Sequence, residues 1–237
     1  MAKRGKKYVE AAKEIERGRS YSPQEAVDLV QRTSTSNFNA TVETHMRMDL
    51  DPRQADQQVR GVVSLPYGTG KEVRIVVFAE GEAAKLAQEA GADYVADDDL
   101  TKKIEEGWLD FDATIAIPQM MGKVSKLGRI LGPRGLMPSP KTGTVVPAED
   151  VHRVIDELRK GRVEFKLDKT ANIHVPIGKV DFQPEQLVEN FASLVDAVQR
   201  ARPSGAKGHY IRKIVLTSTM GPGVKVDIAE ALALRVA

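Results

Sequence analysis

The sequence predicts a mixed α+β and α/β chain of two domains: a discontinuous α+β domain from residues 1–68 plus 162–237, and an α/β domain, 69–161, inserted into it. Three observations point there. "FNATVETHMRMDL" (Phe38–Leu50) places Phe38, Ala40, Val42, Thr44, Met46, Met48 and Leu50 on one side and polar residues on the other, the mark of a strand with one buried face. After "YGTG" (Tyr67–Gly70), short apolar runs alternate with helical stretches, the rhythm of βαβ units on a parallel sheet. From Arg162 the alternating style returns. An insertion of this kind suits a compact domain, whose termini often lie close together.

Taken in order, Lys6–Glu16 predicts a helix. Ser22, Pro23 and Glu25 form a capping box with proline at the first helical position, so a second helix runs to about Arg32. The long strand and the turn "DPRQADQQ" lead to another strand, "RGVVSLP" (Arg60–Pro66). In the insert, strands are expected at "EVRIVVFA", "ADYVA" and "ATIAIP", with helices over Glu82–Ala90, Leu100–Glu106 and Gln119–Leu131. A helix from Ala148 to Lys160 carries Arg159 and Lys160 in its last turn and stops at Gly161. "RVEFKLD" and "ANIHVPI" then look like paired strands, Pro184–Ala201 like an amphipathic helix, and "HYIRKIVLTSTM" and "VKVDI" like strands again.

Composition narrows the functional classes. Cysteine is absent, which excludes disulfides, thiol nucleophiles and thiolate-ligated metals. Apolar runs such as "IVVFA" are too short to span a bilayer, and the basic start is followed by no apolar core, so no membrane partner is expected and the cytoplasm is the expected location. The net charge of +2 conceals segregation. Lys3, Arg4, Lys6 and Lys7 stand without an acid in residues 1–9. Residues 80–112 hold eleven acids against three lysines. Residues 113–148 hold five basic groups and 197–226 hold six, with no acid in either. Basic surfaces of this kind commonly meet phosphate backbones, although ordinary solvated faces would give the same count.

The catalytic motifs fail one at a time. "GTGK" (Gly68–Lys71) ends like a P-loop, but Leu65 replaces the first glycine and Glu72 the magnesium-holding hydroxyl. A dinucleotide site would need an uncharged first strand–helix turn. Here Glu80 and Glu82 would repel a pyrophosphate. "KTGT" (Lys141–Thr144) has Pro140 where a phosphorylated aspartate would stand. The four histidines have no metal-ligand spacing, and Asp97–Asp99 reads as a helix cap. No cofactor or metal is expected, and an enzyme whose chemistry is assembled over long sequence separations is the minority alternative.

Four long segments carry a resemblance. "GRILGPRGLMPSPKTGTV", "DPRQADQQVRGVVSLPYGTGK", "DKTANIH" and "LTSTMGPG" together are similar to the ribosomal protein L-one family, bacterial branch, over nearly the whole chain. The resemblance implies a discontinuous split β-α-β domain that binds large-subunit ribosomal RNA. It also implies an inserted Rossmann-like three-layer domain without a nucleotide. The protein would be a monomer within the ribosome, at the mobile stalk, assisting release of deacylated tRNA at the exit site. It would also repress translation by binding its own messenger RNA. The alternative is an RNA-binding regulator outside the ribosome.

Residue by residue, the resemblance implies RNA contacts at Phe38, Thr41, Asp168, Lys169, Thr170, His174, Thr217, Ser218, Thr219, Met220 and Gly221. Two positions depart from the family pattern: Asn37 where a basic residue is usual, and Ala171 in place of a glycine. On the residues alone, Phe38 reads first as a core side chain, His174 as a structural histidine, and Thr217–Thr219 equally as a polar hairpin or as groups for RNA 2′-hydroxyls. The proline- and glycine-rich loop from Lys126 to Pro147 reads as an ordered turn. Lys126, Arg129, Arg134 and Lys141 would make secondary RNA contacts from it.

Overall fold

The structure, a computed structural model, describes residues 5–206 and 208–234; Lys3, Arg4 and Lys207, counted above among the basic groups, lie outside the described residues. By contact the chain divides into two compact units, Met1–Gly70 with Gly161–Ala237, and Lys71–Lys160. The first begins with α1 (Lys6–Ala11), α2 (Pro23–Arg32), β1 (Thr41–Met48) and β2 (Arg60–Ser64). The second contains β3 (Ile75–Phe78), α3 (Glu82–Glu89), β4 (Tyr94–Val95), α4 (Asp98–Glu105), β5 (Ala113–Ala116), α5 (Met121–Lys126), α6 (Gly128–Leu131) and α7 (Val151–Arg159). The first resumes with β6 (Arg162–Lys166), β7 (Asn172–Lys179), α8 (Pro184–Arg200), β8 (Ile211–Ser218), β9 (Val224–Val226) and α9 (Ile228–Ala233).

Local chemistry sets the helix starts. Ser22 Oγ accepts the Glu25 N–H at 3.2 Å, satisfying one of the donors that a helix start leaves over. Asp97 does the same for Leu100 at 2.7 Å, and the Gln186 side chain reaches back to the Gln183 N–H at 3.1 Å before α8. The single helix expected over Gln119–Leu131 is instead a 3-10 turn (Pro118–Met120) followed by α5 and α6. Gly122 and Gly128 weaken helix propagation there.

The first unit is built on a four-stranded antiparallel sheet in the order β7-β1-β8-β9. Its inner face, with Val42, Met46, Met48, Ile173, Val175, Ile214 and Leu216, is closed by α2 and α8 through Val27, Val30, Leu187, Phe191 and Leu194. "RVEFKLD" and "ANIHVPI" are strands, but they do not pair with each other. β6 pairs with β2 as a separate two-stranded ribbon, and β7 pairs with β1. The turn between them is tight, with Asp168 accepting the N–H groups of Thr170 and Asn172 at 2.8 and 2.7 Å, but beyond it each strand takes its ladder from a distant partner. Gly161 has φ +100°, and a β-carbon there would lie 2.3 Å from the Gly68 Cα, so neither the turn nor the close approach admits a side chain.

The second unit has a parallel sheet in the order β4-β3-β5, extended by a bridge between Ala116 and Val145. β3 is buried along its whole length, as a strand covered on both faces must be.

Candidate nucleic-acid interface

The strand alternation that buries one sheet face leaves the other bare. Cross-strand register assembles that outer face row by row. Asn172, Arg47 and Lys213 form the first row. His174, His45, Val215 and Lys225 form the second. Pro176, Glu43 and Thr217 form the third, and Lys179, Thr41 and Thr219 the last. All are exposed or half-buried. Four cations against one carboxylate make this face basic.

The family-type residues fall in two groups at opposite ends of β1, about 20 Å apart at the rise of an extended strand. At one end, the Thr219 N–H donates to the Thr41 carbonyl at 2.9 Å, and Thr219 Oγ1 accepts the Thr41 N–H at 3.1 Å. Lys179 Nζ donates to Thr41 Oγ1 at 2.9 Å. Phe38, just before β1, is 61% exposed, and Met220, just after β8, is 77% exposed. The core position expected for Phe38 on periodicity is therefore wrong, because β1 begins only at Thr41 and Phe38 lies before it. Met220 has φ +66°, a left-handed conformation that costs a residue with a β-carbon roughly 1–2 kcal/mol. Its apolar side chain is held in water by a strained backbone.

At the other end, Asp168 accepts from the Thr170 N–H, the Thr170 hydroxyl at 2.7 Å and the Asn172 N–H. Burial alone would raise its pKa. The hydrogen bonds from Asn172 and Thr170 outweigh it and hold the carboxyl at about 2. Arg47 Nη1 donates to the Thr170 carbonyl at 2.5 Å, and Ala171 takes the left-handed conformation (φ +61°) that a glycine would adopt freely. The departure at Ala171 keeps the turn; its methyl group is buried in the core. Lys169 and Thr170 stand exposed at the tip, and Asn37 is exposed beside Phe38. His174 joins the two groups from the middle of the face.

One expected contact is overturned. Ser218 is 2% exposed, because alternation along β8 turns it inward. Its hydroxyl is buried without a partner, and its carbonyl accepts the Gly221 N–H at 2.9 Å. Gly221 likewise serves its own turn first: a β-carbon there would lie 2.2 Å from Ser218 Oγ. Thr217 Oγ1 lies 3.1 to 3.4 Å from the carbonyls of Ser218, Gly221 and Pro222, so it braces the same turn. Five residues of the face that motif reasoning missed, His45, Arg47, Lys179, Lys213 and Lys225, come from the polar side of the strands. Their signal was the alternation itself.

On the second unit, Lys126, Arg129, Arg134 and Lys141 are all exposed. Their loop is ordered by Ser139 and Thr144: Thr144 Oγ1 accepts the Ser139 N–H at 2.9 Å, and the Val146 N–H reaches the Ala116 carbonyl at 3.1 Å. The P-loop-like "GTGK" is pinned by buried Asn190. Its amide donates to the carbonyls of Gly68 and Ile177 and accepts the Tyr67 N–H, which fixes the backbone where that segment begins. Among the described residues no group of three or more histidines or carboxylates could hold a metal ion, and no helix is long and apolar enough to cross a membrane.

A basic sheet face flanked by an exposed aromatic and short hydroxyl side chains is the kind of surface that suits a nucleic-acid-binding protein. Residues 30–222 match the model of the Ribosomal protein L1p/L10e family, and the chain belongs to that family. It is accordingly a ribosomal protein of the large subunit that binds ribosomal RNA, a structural RNA-binding protein and not an enzyme. Its place is the ribosome, which in bacteria is cytoplasmic.

Proposed function

We propose that the unit formed by residues 1–68 and 162–237 carries the RNA site and grips stalk RNA of the large subunit across its bare sheet face. The observation that supports this most is the pairing of Phe38 and Met220, two large apolar side chains exposed at the same end of a basic sheet. Exposed aromatics next to cations suit unstacked bases beside phosphates, and the short threonines suit the 2′-hydroxyls of a shallow minor groove. Thr41, Thr217, Thr219 and Gly221 shape one contact. Asp168, Lys169, Thr170 and His174 shape the other. Lys126, Arg129, Arg134 and Lys141 on the inserted unit add weaker phosphate contacts.

In this reading the protein acts at the mobile stalk as a monomer and assists the departure of deacylated tRNA from the exit site. A messenger that folds into the same RNA shape occupies the same face, so the protein represses its own translation. Quantitative binding to a large-subunit RNA fragment carrying the stalk, with the Lys169→Ala and Phe38→Ala variants alongside, tests the site. Undiminished affinity in both would refute it. Competition between that fragment and the chain's own leader messenger tests the repressor role, and simultaneous binding of both would count against it.

A further inference from the structure

At the centre of the outer face the Nδ1 atoms of His45 and His174 are 2.7 Å apart, their rings 4.9 Å between centroids and inclined at 65°. At that separation one nitrogen donates and the other accepts, so only one of the two Nδ1 atoms can hold a hydrogen. The outer nitrogens face carboxylates: His174 Nε2 lies 3.4 Å from Asp168 Oδ2, and His45 Nε2 lies 3.7 Å from Glu43 Oε2. Arg47 flanks the pair from β1, Lys213 from β8 and Lys225 from β9, with Lys169 in the turn. The buried neighbours of the pair on the same two strands, Thr44, Met46, Ile173 and Val175, carry no charge. Burial first, then the nearby His174, lower the His45 pKa, and Glu43 partly offsets them.

We propose that His45, acting through His174, is a positioning residue of the RNA interface, and that the pair takes up a single proton when RNA binds. The inference rests on the reading that RNA lies against this face. With one proton added, His174 donates from both ring nitrogens, to His45 Nδ1 and to Asp168, and thereby orients the turn that carries Lys169 and Thr170. His45 stays neutral as the acceptor and presents its Nε2–H toward Glu43. A second proton would set two N–H groups against each other across 2.7 Å. RNA phosphates brought against this face add negative charge beside the pair, so the proton is held more tightly in the complex. The sign follows by linkage: affinity is fully present below the free pair's titration point and is lost as pH rises through that of the complex.

The test is the affinity of the full chain for a large-subunit RNA fragment carrying the stalk, at constant ionic strength, from about pH 8.5 to about pH 5.5, the range in which imidazoles titrate. Binding should tighten roughly 3- to 10-fold toward the acid end, equivalent to a rise of about half to one pKa unit on binding, with uptake of no more than one proton. His45→Gln and His174→Gln should each flatten the profile, and the double substitution should flatten it no further. Imidazole proton resonances of the natural chain should show both rings responding to one titration step that moves to higher pH when RNA is added, a readout independent of any variant's folding. Profiles parallel to the natural chain's in both variants, two separate titration steps, or a step unmoved by RNA would overturn the proposal. If Lys169→Ala and Phe38→Ala leave affinity untouched, the reading of the face fails. If they weaken binding while the profile ignores the histidines, only the proton coupling fails.

Discussion

Replacing Met220 with glycine sets backbone strain against contact with RNA. Met220 sits at φ +66° with 77% of its surface exposed, so its side chain contributes little to the core. Glycine removes a left-handed penalty of roughly 1–2 kcal/mol. It also gives the unfolded chain extra freedom, which costs about 0.4–1 kcal/mol. The difference favours the variant by about 0.5–1 kcal/mol, a rise in melting temperature of roughly 1–4 °C for a unit of this size. Binding should move the other way. A methionine side chain fully covered by RNA contributes about 1.5–3 kcal/mol, so its loss should weaken affinity on the order of ten- to a hundredfold. Calorimetry and RNA titration on the same preparation decide the matter. A less stable variant would refute the strain argument, and a more stable variant with unchanged affinity would remove Met220 from the interface.

The other expectations are simpler. Thr219→Val deprives the Thr41 N–H of its acceptor, so stability should fall by about 1–2 kcal/mol alongside affinity, with the Thr41 amide exchanging faster; an unchanged urea midpoint would show the bond to be idle. Lys169→Ala should make the slope of log affinity against log salt shallower by about 0.7–0.9, whichever RNA is used, and an equal slope would argue against a phosphate contact. Asp168 is held at about 2, below its ordinary 3.8, so its share of stability is present above the ordinary value and disappears as pH falls through the lowered one. Asp168→Asn should therefore flatten the acid limb of the stability curve between those two values, and an identical limb would contradict the hydrogen-bonded turn. Gly221→Ala should destabilise even without RNA, because its β-carbon meets Ser218 Oγ; a melting temperature equal to that of the natural chain would show the turn to be yielding.

Much of this could be read before any coordinates. Period-two alternation named Ala40, Val42, Thr44, Met46, Met48 and Leu50 as one buried face, and all six are buried. Ser22, Asp97 and Gly161 act locally, through hydrogen bonds or φ values that depend on near neighbours, and for that reason they were legible. Phe38 and Ser218 were not. Whether a residue at the end of an alternating run enters the core depends on where the ladder stops, and that is decided by partner strands more than a hundred residues away. The pairing of β6 with β2 rather than β7 has the same origin. So has the outer face: His45 and His174 are separated by 129 positions and meet only because antiparallel register puts them opposite each other. Sequence determined which side chains each strand offers to either face. Tertiary structure alone decided which of them stand together, because contact between distant segments is a property of packing and register, not of local pattern.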